Sequence, residues 1–121
     1  MQHYDLKVFS TRRRDERIKL HREISVSHVV GRFVGTTENL SVRGAMLTVP
    51  GIDPEPERGD RVEVSFTLPG LPDPIVRGAI VRWVSTVLED MIGIEFDEPL
   101  EDDARKLLDL LAKQQQGSDG A

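Results

Sequence analysis

The 121-residue chain contains no cysteine, a single tryptophan and a single tyrosine. Without cysteine, disulfides and thiolate metal sites are excluded. Long apolar runs are also missing: a membrane-spanning helix needs about 20 mostly apolar residues, and nothing here approaches that. Residues 1–10 alternate polar and apolar and include Asp5, so they lack the apolar centre of a signal peptide. No glycine-rich loop ends in Gly-Lys-Ser/Thr, and Ser41 does not lie in a G-x-S-x-G elbow. The three histidines, His3, His21 and His28, form no pair with metal-ligand spacing. Together these absences predict a soluble, cytoplasmic domain, not inserted in a membrane, with no metal or cofactor, that binds rather than catalyses.

What is present is an uneven charge. The net charge is −5, yet residues 1–50 carry nine Lys/Arg against five Asp/Glu, a balance of +4. The remaining 71 residues carry seven against sixteen, a balance of −9. The basic excess is concentrated in Arg12, Arg13, Arg14, Arg17, Lys19 and Arg22. An acidic chain is poorly suited to wrapping DNA, where phosphate neutralisation supplies most of the affinity. So compact a basic cluster suits a small anion better.

The hydrophobic pattern predicts short strands broken by turn residues. Expected strands run from Glu23 to Val30, with Ile24, Val26 and His28 on one face, then from Phe33 to Thr37 after a turn at Gly31-Arg32. Others run from Ala45 to Val49, Arg61 to Leu68, Ile75 to Val87 with a bend at Gly78, and Met91 to Phe96. Residues 52–60 and 69–74 read as loops. Trp83 is expected in the core, because large aromatics dominate the cores of small domains. From Pro99 to Gln116 the period becomes helical, with Ala104, Leu107, Leu108 and Leu111 on one face. Asp102 is placed at its N-cap and Lys113 near its end, with a disordered tail over residues 114–121. Six antiparallel strands and one helix imply an all-β barrel lidded by a C-terminal helix.

Two stretches carry binding chemistry. In Arg12-Arg13-Arg14-Asp15-Glu16-Arg17, Arg13 and Arg17 are four apart. A guanidinium can hold a phosphate bidentately, read the O6/N7 edge of guanine or stack on a base. The same run also reads as a solvated charge cluster paired through Asp15 and Glu16. In Glu38-Asn39-Leu40-Ser41-Val42-Arg43-Gly44, Asn39 offers both donor and acceptor, Ser41 a hydroxyl, and Gly44 a possible positive φ that turns backbone N–H groups toward an anion. A polar β-turn uses the same residue types.

Taken together and in order, R-x-x-x-R at Arg13–Arg17 and N-x-S-x-x-G at Asn39–Gly44 resemble the two motifs of the PilZ family. Gly78-Ala79-Ile80-Val81-Arg82-Trp83, Gly93-Ile94-Glu95-Phe96 and the terminal helix extend the resemblance over residues 12–113, with residues 1–11 as a flexible lead-in. It implies a six-stranded antiparallel barrel that binds cyclic di-GMP on one outer face. Arg13 and Arg17 would hold phosphates and a guanine edge, and Asn39, Ser41 and Gly44 the other guanine and the backbone. Arg12 could stack on a base, and Arg14 and Arg43 could add charge. Such a bacterial receptor, monomeric or weakly dimeric, would change conformation on binding and pass the signal to an unidentified protein partner. The alternative it leaves open is an adaptor that binds no nucleotide and docks motility, polarity or pilus-related proteins.

Overall fold

In the computed structural model, which describes residues 17–29, 31–51, 56–85 and 90–120, the alternation read from the sequence builds a sheet closed on itself. Its strands are β1 (Ile18–Lys19), β2 (Glu23–His28), β3 (Gly31–Leu40), β4 (Gly44–Thr48), β5 (Arg61–Leu68), β6 (Leu71–Val84) and β7 (Met91–Phe96), followed by helix α1 (Asp102–Gly120). All pairings are antiparallel, in the order β1-β3-β2-β5-β6-β7-β4, and a further β3–β4 pairing closes six strands into a barrel. Closure leaves few backbone groups unpaired. The seventh strand, β1, is an addition. It takes the edge of β3 that β2 has vacated, pairing Ile18 with Leu40 and Lys19 with Asn39.

The barrel is filled from alternate positions of each strand. Ile24 and Val26, Leu40, Ala45 and Leu47, Val62 to Leu68 at every second residue, and Ile92, Ile94 and Phe96 all point inward and are buried. Phe66 and Phe96 stack with centroids 6.0 Å apart. The interior continues into Leu100, Leu108 and Ala112, so α1 seals part of the same core. The expected helical stripe is there: Ala104, Leu107 and Leu111 are partly buried against this core.

Several boundaries differ from the sequence reading. β3 begins at Gly31 and runs on to Leu40, so Glu38 and Asn39 lie in a strand and not in a turn. β6 begins at Leu71 and includes Pro72 and Pro74, expected to be turn residues. Proline is tolerated there because β7 pairs with β6 only from Ala79 onward, leaving the earlier part of the strand with one open edge. The break in β6 is not at Gly78 but between Val81 and Trp83, where two steps on β6 match one on β7. At the helix start Asp102 has φ 55°, outside the usual N-cap geometry. The helix runs on through Gly120, where the sequence suggested an unstructured tail, so Lys113 is not in its last turn. Once nucleated, a helix gains one hydrogen bond for each residue added. No helix among the described residues is long and apolar enough to cross a membrane.

Candidate functional site

The β1–β3 register brings the two sequence motifs together. Ile18 and Leu40 are partners and both point into the core. Alternation therefore sends Arg17, Lys19 and Asn39 to the outer face. Arg17 precedes Ile18 and Ser41 follows Leu40, so the last arginine of the first motif and the loop of the second are neighbours at the strand end. Arg17 and Lys19 are exposed. Arg12, Arg13 and Arg14 lie outside the described residues.

Thr37 secures the link from β1 to β2. This residue is fully buried. Its hydroxyl donates to the Leu20 carbonyl and accepts from the Arg22 N–H at 2.8 Å, while its own N–H donates to the Arg22 carbonyl at 2.8 Å. The Arg22 side chain turns away and donates to the Thr67 carbonyl and hydroxyl at 2.9 and 2.8 Å. Arg22 thus belongs to the scaffold, although it belongs to the basic cluster in sequence.

Ser41 is buried and shapes its own loop. Its N–H donates to the Gly44 carbonyl at 2.9 Å, and its hydroxyl accepts from the Arg43 N–H at 3.2 Å. The loop is sutured to its surroundings: Phe96 N–H donates to the Arg43 carbonyl and Leu100 N–H to the Val42 carbonyl, both at 2.8 Å. Gly44 is needed for a reason other than the one expected. Its φ is not positive. A Cβ there would instead run into the Ile94 carbonyl oxygen and sit 3.2 Å from the Glu95 Cα. The glycine allows β4 to press against β7, which positions the loop.

The outer face continues from Asn39 across the sheet. Asn39 pairs with Met46, Met46 with Gly93, and Gly93 with Trp83. Asn39 makes only a long 3.9 Å contact to the Met46 sulfur, which leaves its carbonyl oxygen without a protein partner among the described residues. Trp83 is a correction to the sequence reading. It is half-buried and lies outside the core cluster, with its indole covering Gly93 so closely that a Cβ there would collide with it. The irregularity at Arg82 shifts the alternation, so Val81 and Val84 face in while Trp83 faces out. Sequence reasoning missed this role because periodicity does not reveal a bulge. The Gly93 opposite a lone tryptophan was the available signal.

Carboxylates bordering this row are already engaged. Glu38 accepts from the Thr48 hydroxyl at 2.6 Å and has His21 Nδ1 at 4.0 Å. Glu95 accepts from Arg82 Nε at 2.7 Å. An exposed face with Arg17, Lys19, the Asn39 amide and an aromatic plane can hold a planar anion reversibly. No group of three or more metal-ligating side chains occurs among the described residues.

The remaining unusual histidine is elsewhere. His28 stands opposite Gly31, at the far end of β3 from Asn39. It is nearly buried, with Nε2 2.9 Å from Asp60 Oδ2. Asp60 also accepts the Glu57 N–H at 2.9 Å. That backbone hydrogen bond, helped by His28, holds the Asp60 carboxyl below its ordinary value. The sequence showed no carboxylate partner for His28, because 32 residues separate the two.

The family model of the PilZ domain matches residues 11–113. No match was found among curated proteins. Among solved structures, the chain is similar to the Bacillus subtilis inhibitor of motility, MotI/DgrA, with a TM-score of 0.69 at 18% identity. That likeness covers 88% of this chain and 52% of the other, so the chain spans about half the length of that protein. It is also similar to the PilZ domain of CeSA from a cellulose-synthesising bacterium, with a TM-score of 0.52 at 16% identity over 86% of this chain and 98% of that one. At these identities the structural likeness is one of fold.

Proposed function

The chain belongs to the PilZ domain family, whose members are receptors and adaptors rather than enzymes, and from that premise we propose that it is a cytoplasmic cyclic di-GMP receptor that signals through protein contacts. One observation carries the reading: the register of β1 on β3 sets Arg17 beside the Ser41 loop and Lys19 opposite Asn39. Two motifs separated by more than twenty residues thereby share one outer surface. Arg13 and Arg17 grip the phosphates and a guanine edge, with Arg12 stacking on a base. Asn39 offers its amide to the second guanine. Ser41 and Gly44 act by shaping the loop, and Arg14 and Arg43 add positive charge. Trp83 supplies an aromatic plane in the same row as Asn39, of the kind on which bases stack.

Ligand phosphates neutralise the mutual repulsion of Arg12, Arg13, Arg14 and Arg17. The covered face becomes a new surface for a protein partner. The structural neighbour described as an inhibitor of motility makes a motility component the first class of partner to examine.

Isothermal titration with cyclic di-GMP tests the reading, with GTP and cyclic di-AMP as controls. Saturable heat with the guanine dinucleotide alone is expected, accompanied by a change in Trp83 fluorescence. Absence of heat would replace the receptor with an adaptor that uses the barrel surface without a nucleotide.

A further inference from the structure

Strand β1 is two residues long and has β3 on one side only. On its other side stands a side chain. The Lys19 N–H donates to Gln115 Oε1 at 3.1 Å, and Gln115 Nε2 donates to the Lys19 carbonyl at 2.9 Å. A primary amide carries a donor and an acceptor side by side. Here it satisfies both peptide groups of one residue, as a neighbouring strand would. Gln115 follows Ala112 by three positions and Leu111 by four, so it shares the helix face that seats α1 on the core. Ile18, fully buried, and Leu20, partly buried, anchor the backbone on either side of Lys19.

Gln115 and Asn39 therefore flank the same residue from opposite sides, one from the helix and one from the motif strand. We infer that Gln115 is a positioning residue: it holds β1, and with it Arg17, in the register that the ligand needs, and it ties the C-terminal part of α1 to occupancy of the site. This rests on the cyclic di-GMP reading and deepens it. Coupling of this kind is reciprocal. If an ordered helix end favours the binding register, bound ligand must in turn favour an ordered helix end. The last turns of α1 then become part of the surface that changes with ligand.

The test compares the wild-type chain with Gln115→Leu, which keeps helix propensity and bulk but cannot bridge Lys19. Cyclic di-GMP titration is combined with amide hydrogen exchange, with and without ligand. We expect Gln115→Leu to bind roughly three- to tenfold more weakly, the scale of one or two exposed hydrogen bonds. Its Lys19 amide should exchange faster without ligand. Cyclic di-GMP should slow exchange from Lys113 to Gly120 in the wild type and leave it unchanged in the variant, an effect that loss of structure alone would not produce. Equal affinities with the same ligand-dependent protection in both proteins would overturn the coupling and leave the receptor reading standing. A wild type that gives no binding heat would overturn the receptor reading and the coupling with it.

Discussion

The two motif regions are held in opposite ways. Asn39 to Gly44 is built into the barrel: it begins in a ten-residue strand, turns through a loop closed by the Ser41 hydroxyl, and is sutured to Phe96 and Leu100. Arg17 to Lys19 rests on the buried Ile18, two backbone pairings and one glutamine. The first region is a fixed half-site whose geometry is set by packing. The second has fewer points of attachment, with Arg17 and Lys19 exposed on either side of Ile18. On the receptor reading proposed above, the rigid half would supply selectivity and the lightly held half would convert binding into a change of shape.

Substitutions that exchange these properties sharpen the contrast. Gly44→Val should have the largest effect on the fold. Its side chain meets the Ile94 backbone, which has little room to yield, so destabilisation of about 1–3 kcal/mol or more is expected from the denaturation midpoint. An unchanged midpoint would mean that β4 and β7 can separate there. Arg17→Ala should do the reverse. Loss of a charged hydrogen-bonding group predicts binding weaker by about 1.5–3 kcal/mol in titration, with unfolding shifted by no more than about 0.5 kcal/mol. Ser41→Ala falls between them. It removes the hydroxyl that accepts from the Arg43 N–H and closes the loop, so stability should drop by about 1 kcal/mol, and affinity should fall less than for Arg17→Ala.

The smallest effect on binding belongs to Asp60, remote from the site. Its carboxyl is held below the ordinary 3.8 by the Glu57 N–H and by His28. A depressed native value means that the carboxylate stabilises the fold fully above the unfolded value, and that this contribution is lost as pH falls through the native one. Asp60→Asn should therefore flatten the acid limb of a stability–pH curve below about pH 4. Cyclic di-GMP affinity at pH 7 should be unaffected. A variant with an unaltered acid limb would show that Asp60 does not carry that dependence.

Much of the fold was legible because alternation is a local property. Val62, Val64, Phe66 and Leu68 announced their strand and their buried face, and Leu107, Leu108 and Leu111 announced the helix. The candidate site was legible as motif spacing, Asn39 to Gly44 following Arg13 to Arg17. Other features needed contacts between distant residues. The inclusion of Pro72 and Pro74 in β6 depends on where β7 stops pairing. The outward turn of Trp83 depends on one extra residue in a ladder. The purpose of Gly44 depends on a carbonyl fifty residues away, and the two hydrogen bonds of Gln115 depend on Lys19, 96 residues earlier.

Composition and periodicity alone therefore determined that this chain has strands, a closing helix and a basic excess in its first fifty residues, because charge is read from the residues themselves and side-chain burial follows from the period of two or of 3.6. Tertiary structure decided which of the polar and aromatic residues lie on the outer face and which serve the scaffold. Arg22 went to Thr67, Ser41 to its own loop and Trp83 to the outer face, for one physical reason: strand register, bulges and edges are fixed by pairing across the barrel, and a shift of one residue sends a side chain to the other face.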